Sequence, residues 1–103
     1  MTRTSKNLLS NAAAVGAGNG VDVTLFDSFS FMVEGTGITS GGTMKIQALS
    51  PSGNWIDIDS RAVTSAAPNY VVNYNGPLEQ VRANLSARTD GTYSVNVAMS
   101  RRY

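Results

Sequence analysis

Residues 43–60, TMKIQALSPSGNWIDIDS, read as two β-strands joined by a tight turn. Met44, Ile46 and Ala48 alternate with Lys45, Gln47 and Leu49, and beyond the turn Ile56 and Ile58 alternate with Asp57 and Asp59. Ser50-Pro51-Ser52-Gly53-Asn54 lies between the two runs. Successive side chains of a strand point to opposite faces, so period-two patterning on both sides of a Pro/Gly turn predicts a hairpin.

The same grammar extends outward in both directions. Val21, Val23 and Leu25 alternate with Asp22 and Thr24, and after a bend at Asp27 so do Phe29, Phe31 and Val33 with Ser28, Ser30 and Met32. Residues 61–69 read as a polar connection, and residues 70–74, YVVNY, as a short strand ended by Asn75-Gly76-Pro77. Val81, Ala83, Leu85 and Ala87 precede Thr89-Asp90-Gly91, and Tyr93, Val95, Val97 and Met99 follow it. Asp-Gly supplies the positive φ angles of short hairpin turns, so residues 81–99 predict a second and stronger hairpin. No window carries the apolar 3.6-residue stripe of a long helix. About seven short strands with closely spaced turns predict an all-β chain folded as a single antiparallel β-sandwich, jelly-roll- or Ig-like, over residues 21–103.

Residues 1–20 are rich in Ala, Gly, Asn and Ser and read as an extended N-terminal arm. Such a segment has little apolar surface to offset its ordering entropy, so it is expected either to be held by a neighbouring subunit or to drape along its own sheet. Its basic start and small apolar residues suggest a secretory signal, but Ser10, Asn11 and Gly16 interrupt the apolar run, and the signal reading is set aside.

At 103 residues the chain makes one domain with a modest core. Eight basic and seven acidic residues leave a formal charge of +1, too small to call for a nucleic-acid or membrane partner. No segment approaches the roughly 20 apolar residues of a membrane-spanning helix. With no Cys, disulfides and thiolate chemistry are excluded. With no His, the side chain best suited to proton transfer near neutral pH is missing as well.

Three stretches together carry a resemblance: LLSNAAAVGAGNGVDV (residues 8–23), TMKIQALSPSGNWIDIDS, and PLEQVRANLSARTDGTYSVNVAM (residues 77–99). A strand ending in Ser, a Gly-Asn-Trp turn into an Ile-Asp strand, Val-Arg-Ala-Asn and a final Val-rich strand resemble a small β-sandwich module of tailed-bacteriophage virions. The resemblance covers residues 8–99. It implies a structural role in the virion, such as capsid decoration or a tail or baseplate accessory, and does not distinguish among them; the leading expectation within that class is a non-enzymatic head decoration or cement protein. A small sandwich has a limited core and exposed sheet edges, so homo-oligomeric assembly (a trimer being one form) is expected, with contact to other virion proteins such as the major capsid protein. The resemblance implies no catalytic residue and no cofactor.

Several individual residues offer chemistry of their own. Asp57 and Asp59, two apart and hence on one strand face, suit a hard cation, but without a ligand loop they read as a solvated face. Trp55 has outer-face parity. A bulge near the turn would fold it inward, and core-edge packing is favoured over ligand stacking. Residues 16–20, GAGNG, lack the spacing of a phosphate-binding loop and read as a flexible lead-in to the first strand. Nothing in the pattern brings Glu34, Glu79, Asp27 and Asp90 together as an acid/base pair. Arg82 and Arg88 lie on the polar face of one strand, where a solvated or intersubunit face is expected rather than a specific nucleic-acid site. The expected partner contacts are therefore Arg3, Lys6, Leu8, Leu9, Trp55, Arg82, Arg88, Arg101 and Arg102, with no metal site. The alternative from another class is a carbohydrate-binding module stacking sugars on Trp55, Tyr70 and Tyr74.

Overall fold

The computed structural model describes residues 3–101, whose alternating runs form nine strands. These are β1 (Arg3–Ala12), β2 (Gly16–Ala17), β3 (Val21–Asp22), β4 (Ser28–Thr36), β5 (Gly42–Leu49), β6 (Trp55–Val63), β7 (Asn69–Asn75), β8 (Gln80–Arg88) and β9 (Thr92–Ser100). One antiparallel sheet runs β1-β9-β4-β7, and the other runs β2-β8-β5-β6 with β3 also paired to β8. The pairings nest about the hairpin of residues 43–60: β5 with β6, β4 with β7, β2 and β3 with β8, β1 with β9. A long folded ribbon rolled so that its pairs alternate between two sheets is a jelly roll, the first of the two topologies expected.

Alternation decides the core. Phe29, Phe31 and Val33 of β4 and Tyr93, Val95, Val97 and Met99 of β9 point across the sandwich. Met44 and Ile46 of β5 and Val81, Ala83 and Leu85 of β8 meet them. Phe29 and Phe31 stack with centroids 6.0 Å apart, and Tyr74 of β7 tilts against Phe29 at 6.3 Å. Each large apolar side chain removed from water contributes about 1.5–3 kcal/mol, which makes this layer the main source of stability.

Four expectations change. First, residues 81–99 are not a hairpin: β8 lies in the five-stranded sheet and β9 in the four-stranded one. Both are interior strands with neighbours on either side, and their buried faces look at each other across the core. Two strands of one flat hairpin do not do this. Second, the N-terminal stretch takes the second of its two expected fates, draped along its own sheet, and as a full strand it joins the sandwich instead of preceding it as an arm. β1 pairs with β9 from Arg3↔Ser100 to Ala12↔Tyr93, and Leu8 is buried. Backbone bonds to β9 and the burial of Leu8 offset the ordering cost that composition alone left unmet. Third, the lead-in of residues 16–20 is edge structure: Gly16 and Ala17 pair with Leu85 and Asn84, and the Gly18 amide donates to the Ala83 carbonyl at 2.8 Å. Fourth, the polar connection is shorter than its sequence suggests, because β6 continues to Val63, which is fully buried.

Candidate interaction surface

The sandwich has two unlike flanks. On one, β1 and the β2–β3 stretch close the gap between the sheets: Leu8 enters the core, and Lys6 Nζ donates to the Asp22 carbonyl at 3.2 Å. On the other, β6 ends one sheet and β7 ends the other. Ile56 and Val71 are exposed there, at 57% and 54%. A cleft of about 650 Å³ opens at one end of this flank, lined by Ala48, Leu49, Ile56, Ile58, Tyr74 and Leu78 among others.

A bulge organises the β6 side. Ile46 faces Asp59 and the next residue, Gln47, faces Asp57, so Ile58 is the extra residue. The slip sends Asp57 outward and Asp59 inward, because Gln47 lies on the outer face and Ile46 in the core. The two carboxylates expected on one face stand on opposite faces, and a shared cation cage between them is lost. Ile56, ahead of the bulge and opposite Ala48, keeps its inward parity, but it lies on an end strand at the open mouth of the cleft and is exposed rather than in the core.

On the outer face, Arg82, Gln47 and Asp57 form a row across β8, β5 and β6. Arg82 Nε donates to Gln47 Oε1 at 2.8 Å, and Gln47 Nε2 donates to Asp57 Oδ1 at 2.9 Å. Lys45 Nζ lies 3.5 Å from Asp57 Oδ2. The bond from Gln47, followed by the charge of Lys45, holds the Asp57 carboxyl below the usual carboxylate range. Gln47, with 7% exposure, is fully engaged by these partners, as a buried amide needs to be. Trp55 completes the row. Its ring lies on the outer face with the Arg82 guanidinium 4.4 Å from the ring centroid. Gly20 passes so close that a Cβ there would sit 3.1 Å from Trp55 Cη2. The parity of Trp55 therefore holds, because the bulge of this strand falls further along, at Ile58.

Between the sheets, Asp59, Arg61 and Tyr70 meet. Arg61 Nη2 is 3.4 Å from Asp59 Oδ1, and its guanidinium lies 4.4 Å from the Tyr70 ring centroid. The Tyr70 hydroxyl and Asp59 Oδ2 are buried without hydrogen-bond partners among the described residues. Burial first, and the Asp59 charge second, push the Tyr70 phenol up to about 12, with Arg61 opposing them.

The other expected contact residues scatter. Leu8 is core, and Leu9, half-buried, packs against it. Arg88 Nε donates to the Gly91 carbonyl at 2.9 Å and braces a turn. Arg3 enters through its backbone, opposite Ser100, and Arg101 is exposed just past β9. Arg102 lies outside the described residues. Trp55 lies outside one sheet, whereas Tyr70 and Tyr74 project from β7 of the other into the sandwich, so the three rings form no common platform. Ile56 and Val71 were not among the expected contacts. Adjacent Val71-Val72 in a period-two strand was the available signal, since one of two neighbouring apolar residues must face out.

No protein-family model matches the chain, and no curated protein matches it in sequence. Solved structures match its fold. The SPBc2 prophage-derived protein YomS superposes with a TM-score of 0.70 at 16% identity, covering 96% of this chain and 94% of that one. The Drosophila NLP core, a structure concerned with pentamer formation and histone binding, gives 0.54 at 11% over the full length of both. A family 29 carbohydrate-binding module gives 0.54 at 10%, over 96% and 89%. At these identities the likeness is one of fold: the chain is a β-sandwich of a kind found in a prophage-derived protein and in carbohydrate-binding modules.

Proposed function

We propose that the chain is a non-enzymatic structural subunit of a phage virion, a jelly-roll decoration or cement protein that assembles with copies of itself on the capsid. The observation that carries this reading is the asymmetry of the flanks. One is closed by β1 and Lys6, and the other leaves two sheet ends with Ile56 and Val71 in solvent. Apolar residues rimmed by polar ones on an exposed flank mark an interaction site, and covering sheet edges stabilises a small sandwich. The fold likeness to a prophage-derived protein along nearly the whole of both chains supports the phage setting. Since β1 belongs to the sandwich, the flank takes the role expected of an arm.

The test is co-sedimentation of the full chain with expanded capsids that lack it. Saturable binding is expected, with at least tenfold weaker binding for Ile56→Asp, of the order lost when a buried interface contact is charged. Failure to bind capsids together with recovery in purified tails would move the protein to the tail or baseplate. Binding to an insoluble polysaccharide, lost on Trp55→Ala, would establish the carbohydrate-binding reading instead.

A further inference from the structure

The four sheet ends are not equally protected. β1 carries Lys6, positive φ at Asn11 and register breaks after Asn7 and Leu9. β2 and β3 have two residues each. β6 carries the bulge at Ile58 together with Asp57, Asp59 and Arg61. Short length, charge and bulges are the devices that stop a sheet edge from pairing with another chain. β7, Asn69-Tyr70-Val71-Val72-Asn73-Tyr74-Asn75, has none of them: no charge, no proline, and unbroken register with β4 from Glu34↔Asn69 to Ser28↔Asn75.

Its free edge can be read from the ladder. The Gly35 amide donates to the Pro68 carbonyl at 2.9 Å, and the Gly76 amide donates to the Asp27 carbonyl at 2.8 Å. Alternation between these brackets turns Tyr70, Val72 and Tyr74 toward β4, and leaves the backbone groups of Asn69, Val71, Asn73 and Asn75 directed away from the sheet. The asparagine side chains are already fixed by their carbonyl oxygens. Ser30 Oγ donates to Asn73 Oδ1 at 2.8 Å, Ser28 Oγ to Asn75 Oδ1 at 3.2 Å, and the Gly35 amide to Asn69 Oδ1 at 3.2 Å. Each keeps its NH₂ group for a further acceptor.

We infer that β7 is the site where a second copy of this chain docks, strand against antiparallel strand about a two-fold axis at Val72, joining two four-stranded sheets into one. The choice of a second copy comes from the strand itself, whose sequence is close to palindromic about Val72. Antiparallel pairing there sets Asn69 against Asn75 and Tyr70 against Tyr74. It also sets Val71 against Asn73, and Val72 against itself. The hydrogen-bonding pairs in this register are Asn69–Asn75 and Val71–Asn73, the residues whose backbone groups point outward. A two-fold contact must match a surface to itself, and this strand does so in side chains and in backbone phase at once. The pairing rests on the homo-oligomeric part of the proposed function, and specifies its geometry.

The chain has no cysteine, so a single substitution can report the axis. At a non-hydrogen-bonded antiparallel pair the Cα atoms stand about 4.5 Å apart, within reach of a disulfide. Purified full-length Val72→Cys is expected to oxidise to a covalent dimer on a non-reducing gel, while Val71→Cys and Asn73→Cys remain largely monomeric there. In the unmodified sequence, native mass spectrometry is expected to give a dimer or a multiple of it, and Val71→Pro is expected to give monomer with an unchanged far-UV circular dichroism spectrum. Proline at 71 removes an outward amide and spares the ladder to β4. A chain monomeric at all concentrations, a Val71→Pro protein that assembles like its parent, or crosslinking at 71 or 73 in place of 72 would overturn the inference. These measurements use the isolated chain. Failure here with capsid binding intact would leave the virion role standing, and the reverse result would leave the pairing standing.

Discussion

The chain reverses at residues 50–54 and again at residues 89–91, each time around a glycine of positive φ and between strands of period-two alternation. The first reversal keeps β5 and β6 in one sheet, and the second sends β8 and β9 into different sheets. Their hydrogen bonds show why. The hairpin turn closes on itself: the Ser50 amide donates to the Asn54 carbonyl at 2.8 Å, and the Gly53 amide donates to the Ser50 carbonyl at 2.9 Å. The inter-sheet turn is tied to a distant loop instead. The Asp90 carboxylate accepts the amides of Thr39, Ser40 and Gly41, and the Thr89 amide donates to the Gly41 carbonyl at 2.8 Å. From inside, the Tyr93 hydroxyl donates to the Asp90 carbonyl at 2.8 Å. Turn residues mark where a chain reverses, and tertiary partners decide whether it reverses within a layer or between layers.

The strongest way to break this comparison is Tyr93→Ala. The side chain is fully buried and its hydroxyl holds the inter-sheet turn, so a loss of about 4 kcal/mol is expected in urea unfolding, of the size seen for large aromatic truncations in cores. A loss no greater than that of an exposed substitution would mean that the turn stands without its inner brace.

Matched glycine substitutions sharpen the contrast. Gly53 (φ 90°) and Gly91 (φ 86°) carry similar backbone penalties, but an added Cβ at Gly53 meets nothing within 4 Å, whereas at Gly91 it sits 2.6 Å from Ile38 Cγ1. Gly91→Ala is expected to cost about 3 kcal/mol, the left-handed penalty plus overpacking, and Gly53→Ala about 1 kcal/mol. Equal costs in thermal or urea unfolding would erase the distinction between a self-contained turn and an anchored one.

The smallest effect belongs to the hairpin's outer strand, where Asp59 and Arg61 meet Tyr70 of the other sheet. Tyr70→Phe removes a buried hydroxyl that has no partner among the described residues, so neutral-pH stability should rise or hold within about 1 kcal/mol. The phenol's pKa is raised from 10.0 to about 12 in the folded chain. Its contribution is therefore complete below pH 10 and fades as pH rises toward 12. Tyr70→Phe should flatten that alkaline decline, and an identical alkaline profile in the two proteins would refute the assignment.

Much of this fold is legible in the amino-acid sequence. The inward sets Phe29-Phe31-Val33, Val81-Ala83-Leu85 and Tyr93-Val95-Val97-Met99 follow from alternation, which each strand carries in its own side chains. Trp55 keeps the outer-face parity of its strand, where the sequence leaves its direction open between that face and an inward fold. The partner-facing residues were harder to read. Asp59 looks like a partner of Asp57 on one face until the bulge at Ile58 shifts the register, Ile56 looks like core until β6 proves to be an end strand, and Leu8 looks like an arm contact until β9 is beside it. A bulge comes from fitting two strands of unequal length, and neither strand records it alone.

The amino-acid sequence by itself determined that this is an all-β chain, where it turns, and which face of most strands is dry, because those features rest on neighbours one to five residues apart. Only the tertiary structure decided which strands share a sheet, that the opening hairpin is the tip of a nested jelly roll, that Asp57 and Asp59 part company, and that β7 remains as an unguarded edge. Those outcomes depend on which strands compete successfully for one another's backbone groups, often across most of the chain's length, and local patterning cannot rank the competitors.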